Sequence, residues 1–68
     1  MISYRPLWKT MEEKGITTYY LRNKCGNDNI SSSTIRRLQL GLSVSTNTLD
    51  SLCKILKCQL SEIVEYID

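Results

Sequence analysis

The chain is 68 residues long, 41% hydrophobic and 24% charged, with no histidine and a formal net charge of +2. That length allows one domain with a thin core, because a protein this small buries only about 60% of the surface its unfolded chain exposes, and the ordinary balance of residue types excludes a disordered tail. No apolar run approaches the roughly 20 residues that cross a bilayer, and no charged-then-apolar leader follows Met1, so the protein is expected to stay in the cytoplasm.

Helix start and stop signals divide the chain into five short segments. Pro6, with its fixed φ and missing N–H, suits the first turn of a helix carrying Leu7, Trp8 and Met11 and stopping at Gly15. Thr17 caps a second segment with Tyr19, Tyr20, Leu21 and Cys25, ending at Gly26. The tyrosines and Leu21 alone would also suit a strand, but the cap and glycine around them favour a short helix. Asn27-Asp28-Asn29 is a turn cluster. Ser31 then caps a third helix with Ile35 and Leu38 on one side and Gly41 as its stop. After a loop from Leu42 to Asn47, a fourth helix shows Leu49, Leu52, Cys53 and Leu56 at i, i+3, i+4, i+7. The same stripe in Leu60, Ile63, Val64 and Ile67 predicts a fifth, and no strand is expected anywhere. The fold class is therefore all-α, a five-helix bundle over residues 1–68. None of these helices is long enough to be stable alone in water, so they must share one core. Leu7, Trp8, Met11, Ile16, Leu21, Ile30, Ile35, Leu38, Leu49, Leu52, Leu56, Leu60, Ile63 and Ile67 are expected in or near it.

Charge is unevenly spread. Residues 1–41 hold seven basic against three acidic side chains, a balance of +4, and residues 42–68 hold two against four, a balance of −2. A basic half beside an acidic half raises the question of nucleic acid. The stretch Thr17 to Gly41 answers it. Two short helices separated by a turn, the second rich in small polar and basic residues, describe a helix-turn-helix. Leu21, Ile35 and Leu38 pack inward, leaving an outer face that begins with Ser31, Ser32, Ser33 and Thr34. Short hydrogen-bonding side chains at that end suit entry into the major groove, and its exposed N–H groups favour a nearby phosphate. Arg36 and Arg37 lie one turn on, within reach of guanine O6 and N7 or of the backbone. Each piece has a plainer reading: a serine run as a cap, paired arginines as a solvated face. Their order within one unit favours DNA.

From Glu12 to Tyr66 the chain resembles the Cro/C1-type helix-turn-helix regulators, the Xre family. The resemblance lies in Glu13-Lys14-Gly15-Ile16-Thr17, Tyr20-Leu21 and Ile30-Ser31-Ser32-Ser33-Thr34-Ile35 with Leu38 and Gly41. It continues through Thr48-Leu49, Leu52-Cys53, Leu56, Cys58 and Leu60-Ser61-Glu62-Ile63. It implies a lambda-repressor-like bundle whose third helix reads the major groove. Ser32 and Ser33 then match base-reading positions, as does Arg37 one turn on. Thr18 matches the first residue of the second helix, where the family often has a glutamine that contacts phosphate or supports the reading helix. Arg36 is implied as a phosphate clamp, with Arg22 or Lys24 adding another, and Thr17 stands beside them. Two departures stand out. Asn27-Asp28-Asn29 lengthens the turn, which either changes the angle between the two helices, bulges outward, or offers Asn29 to DNA. Arg22 occupies a position commonly small in the family and is expected to reach the surface.

Other chemistry is set aside. Without histidine there is no Ser–His or Cys–His pair and no imidazole ligand. Cys53 and Cys58 are separated by about 500° if both lie on one helix, so no metal site and no cofactor is expected. Cys25, Cys53 and Cys58 are expected as reduced thiols packed as small hydrophobes. No enzyme is expected. The reading is a DNA-binding regulator, a repressor rather than an activator, that binds double-stranded operator DNA as a homodimer and lacks a small-molecule ligand domain. Its dimer surface is expected in the last two helices, where Val64, Tyr66 or Ile67 would be exposed. The alternative is a protein-interaction module, an antitoxin or antirepressor, that keeps the bundle and makes little use of Arg36 and Arg37.

Overall fold

The helices begin and end where the capping residues favour it. In the computed structural model, which describes all 68 residues, α1 spans Arg5–Lys14, α2 Thr18–Asn23, α3 Ser32–Leu40 and α4 Thr46–Leu56. The side-chain oxygens of Thr17, Ser31 and Ser45 each accept an N–H from the first turn of α2, α3 and α4, all at 3.2 Å. These bonds satisfy donors that a helix start leaves unpaired. Pro6 lies in the first turn of α1. Gly15 and Gly41 end α1 and α3 in the left-handed region, with φ of 66° and 75°. There the chain reverses, so that Ile16 N–H donates to Met11 and Leu42 N–H to Arg37.

Ten side chains form one buried cluster: Tyr4, Leu7, Met11, Leu21, Ile30, Ile35, Leu38, Leu52, Leu56 and Ile63. Nine of these were expected from spacing. Tyr4 was not, because it precedes the first helix and its hydroxyl is drawn inward by a 2.8 Å bond to the Leu42 carbonyl. Trp8, Ile16 and Leu49 pack against the cluster as half-buried residues. The longer turn between α2 and α3 closes on itself. Gly26–Asp28 make one 3-10 turn, Asn29 Oδ1 accepts the Cys25 N–H at 2.8 Å, and Ile30 N–H returns to the Leu21 carbonyl at 2.8 Å.

The fifth helix is not present. Leu60–Glu62 form a single 3-10 turn, after which the chain extends into a two-residue strand, β2, at Glu65–Tyr66. That strand pairs antiparallel with β1 at Ile2–Ser3, in the register Ile2 to Tyr66 and Ser3 to Glu65. Both the helical stripe and the absence of strands are thereby corrected. The Glu62 carbonyl accepts the Thr10 hydroxyl at 2.8 Å, and Ile67 N–H donates to the Met1 carbonyl at 2.8 Å. Partners far away in sequence thus take hydrogen bonds a further turn would have used. Ile63 alone of the stripe is fully buried; Leu60 is 49% exposed, while Val64 and Ile67 are half-buried. Arg5 and Glu65 add an exposed ion pair at 3.0 Å across the same end.

Helix α4 ends without a glycine. Lys57 holds φ at 51°, a left-handed conformation in which a side chain crowds the following carbonyl. The substitution Lys57→Gly removes that crowding and is expected to stabilise the fold by about 0.5–1 kcal/mol. The midpoint of urea unfolding should rise accordingly.

Candidate nucleic-acid interface

Helix α3 is amphipathic in a way that sets one side free. Ile35 and Leu38 are buried, and Ser32, Ser33, Arg36, Arg37 and Leu40 are exposed. At about 100° per residue, Ser33, Arg36, Arg37 and Leu40 fall on one stripe directly opposite the buried pair. No carboxylate occurs between Asp28 and Asp50, and neither arginine is in an ion pair. This outer stripe therefore carries two unneutralised guanidinium groups beside hydroxyls.

The expected site residues divide by what their polar atoms already do. The Ser31 hydroxyl accepts the Thr34 N–H and donates to Thr34 Oγ1 at 2.9 Å, with Ser33 Oγ also within 3.2 Å. Ser31 and Thr34 thus hold the start of α3 in shape. Thr17 does the same for α2 through Tyr20, and Asn29 for the turn through Cys25. Ser32 and Arg36 are exposed and unengaged by other side chains. Arg22 also reaches the surface, as its charge requires, and Thr18 is half-buried at the start of α2. Arg37 is intermediate: its Nε donates to the Ser43 carbonyl at 2.8 Å. That bond holds the guanidinium against the loop after α3 and leaves the Nη edge unengaged.

Two features were missed in the sequence. Leu40 is 59% exposed on the outer stripe of α3; its place on that face follows from the helical angle measured from Ile35 and Leu38. The second is a polar cleft of about 230 Å³ between the starts of α3 and α4, where Asn47, Thr48 and Ser51 face Asn29, Ser31 and Thr34. The apolar stripe of α4 is the stronger sequence signal and masks the polar side formed by Asn47, Thr48 and Ser51.

The thiols have a different environment. Lys57 turns the chain out of α4, so the rotation that separated Cys53 from Cys58 does not apply, and Cys58 N–H donates to the Cys53 carbonyl at 3.2 Å. Desolvation pushes the Cys58 thiol up from its ordinary pKa, with Cys53 and Glu62 adding to it; desolvation and then Asp28 raise Cys25. Both shifts favour the thiol over the reactive, metal-binding thiolate. No group of three histidine, cysteine or acidic side chains converges in a way that could hold a metal ion. No helix is long and apolar enough to cross a membrane.

A capped, short second helix, a closed turn and a third helix with its outer side free are the parts of a helix-turn-helix. Residues 6–68 match the Cro/C1-type HTH DNA-binding domain, and the chain belongs to that family. Its members are DNA-binding transcription regulators, not enzymes. The chain is also similar to a solved structure, that of transcriptional regulator VanUg in its form II crystal. The two are 31% identical, the match covers 94% of this chain and 81% of that one, and the TM-score is 0.81. No curated protein matches significantly.

Stability and recognition separate cleanly at the start of α3. Ser31→Ala removes the cap and should cost about 1 kcal/mol in urea unfolding. Ser32→Ala, which removes an unengaged hydroxyl, should stay within about 0.5 kcal/mol of the parent.

Proposed function

We propose that this protein is a sequence-specific reader of duplex operator DNA that acts as a dimer and represses transcription by occluding a promoter. The observation that carries the reading is the exposed side of α3, with two arginines outside any ion pair, the unengaged Ser32 hydroxyl at its start and no carboxylate. In this reading Ser32 and Ser33 meet base edges where the helix start enters the major groove. Arg37 presents its Nη edge to guanine O6 and N7, and the Ser43 carbonyl keeps that fork in place. Arg36 takes a backbone phosphate. So do the start of α2 at Thr17 and Thr18, and Arg22 beside it. Leu40 offers an apolar contact for a thymine methyl or a sugar. Asn29, Ser31 and Thr34 serve mainly by holding the turn and the helix start. The polar cleft beside Asn47 and Thr48 extends the edge that faces phosphate.

A single reading helix touches few base pairs, so two half-sites one helical turn apart, about 34 Å, are required for tight recognition. Repression by occlusion asks no more of the protein than occupancy of the DNA, whereas activation would require a further contact with another protein.

Fluorescence anisotropy on the duplex upstream of the protein's own reading frame, against a scrambled duplex at low and physiological salt, tests this. A preference of about 10³-fold or more is expected. Arg37→Ala should cost about 1–3 kcal/mol and relax one base position, whereas Arg36→Ala should weaken all duplexes evenly and lower the salt slope by about 1. Absence of binding even at low salt, with both variants silent, would overturn the DNA reading and favour a protein partner for this face.

A further inference from the structure

The loop between α3 and α4 has few holds of its own. Gly41, Leu42 and Ser43 are all exposed, so no apolar side chain anchors the chain before half-buried Val44. From Leu42 onward its path is set by three hydrogen bonds. The Leu42 N–H donates to the Arg37 carbonyl at 2.8 Å. The Leu42 carbonyl accepts the Tyr4 hydroxyl at 2.8 Å, and the next carbonyl, that of Ser43, accepts Arg37 Nε at 2.8 Å. Two of these bonds come from α3 itself. Tyr4 supplies the one that reaches the loop from the rest of the chain.

Tyr4 is also fixed in place. Its ring belongs to the buried cluster at 7% exposure, and its neighbour Ser3 pairs with Glu65 in the terminal sheet. Phenylalanine would fill the same space in the core, so the hydroxyl adds direction rather than volume. The carbonyl it holds lies in one planar peptide with the Ser43 N–H. Only the φ and ψ of Ser43 therefore separate the anchored peptide from the carbonyl that receives Arg37.

We propose that Tyr4 is a positioning residue for base reading, whose hydroxyl, acting through the Leu42 and Ser43 peptides, sets the direction in which Arg37 presents its Nη edge; the proposal rests on the DNA-reading function above. A guanidinium that clamps a phosphate tolerates many approaches, because charge alone suffices. One that reads guanine O6 and N7 must bring its planar fork to two acceptors at once, so its direction decides the contact. Tyr4 touches no DNA in this arrangement. It is separated from the outer face by the loop, and its effect is confined to the one base pair that Arg37 meets.

Tyr4→Phe removes the bond and leaves the partly exposed Leu42 carbonyl to water. Thr10→Val is the control, since the Thr10 hydroxyl donates to the Glu62 carbonyl at the same 2.8 Å but on a path that does not lead to α3. Circular dichroism checks that both variants fold. In the free protein, exchange of the Arg37 Nε–H with water, followed by NMR, should lose its protection in Tyr4→Phe and keep it in Thr10→Val. Selection from duplexes with a randomised core of about 20 base pairs, two half-sites long, gives the second readout. Tyr4→Phe should lower the preference at the pair that Arg37→Ala also relaxes, by about fivefold or more, the lower end of what a bidentate contact provides. It should add nothing there in the Arg37→Ala background. A folded Tyr4→Phe protein with Arg37 still protected would overturn the proposal. So would an equal loss of base preference in Thr10→Val, which would make the effect one of general stability. The two readings fail separately. A parent that selects no sequence counts against DNA reading, while the exchange of the Arg37 Nε–H still decides whether Tyr4 positions that side chain.

Discussion

Ile35 and Leu38, one turn apart, press the inner side of α3 into a cluster built from every other helix and from Tyr4 and Ile63. The position of α3 depends on that burial more than on anything local, because nine residues of helix are not stable alone in water. Burying one side of so short a helix necessarily presents the other, and the residues so presented are Ser33, Arg36, Arg37 and Leu40. The reading face is thus a by-product of core packing: moving either buried side chain by one position would rotate a different set of groups outward. With a core of ten residues, little redundancy exists to hold α3 if one anchor is lost.

The termini extend this dependence. Residues at both ends of the chain pair in β1 and β2, and from there Tyr4 reaches into the core and bonds the Leu42 carbonyl. One residue further along the same loop, the Ser43 carbonyl receives Arg37 Nε. A line of direct contacts therefore runs from the terminal sheet through the loop after α3 to a guanidinium on the outer face. On the other side of the bundle, the Thr10 hydroxyl ties α1 to the 3-10 turn before β2. The small sheet is too short to be stable by itself; it persists because these side chains attach it to the helices on both sides.

Much of this was legible in the sequence where the cause is local. Thr17 and Ser31 cap because their oxygens reach the next turn, and Gly15 and Gly41 stop helices because they tolerate a left-handed φ; Ser45 caps α4 by the same means, so that helix starts at Thr46, inside the segment expected as a loop. The error at the C-terminus has the opposite origin. Leu60, Ile63, Val64 and Ile67 are spaced for a helix, but the bonds that decide their conformation come from Thr10 and Met1, more than fifty residues away, and no local pattern records them. The β-branched Val64 and Ile67 suit either outcome, so pairing with β1 settled it. The same holds for Cys53 and Cys58, whose relation follows from a left-handed Lys57 that sequence alone did not suggest. Within the site, the spacing identified which residues stand on α3 but not which hydroxyls the helix start already uses. Ser31 and Ser32 look alike in the sequence and differ entirely in what their oxygens are free to do.

The energetic logic of recognition follows from this sorting. Specific readers typically prefer their site over other DNA by about 4–10 kcal/mol, and a good bidentate base contact contributes about 1–3 kcal/mol. On α3 one arginine has its fork held in place, and the remaining candidates for base contact are short hydroxyls and one leucine. One copy thus falls near the bottom of the specific range, with much of its affinity left to phosphate contacts that carry no sequence information and weaken with salt. A second copy doubles the base contacts without enlarging the fold, provided the two reading helices keep a set separation.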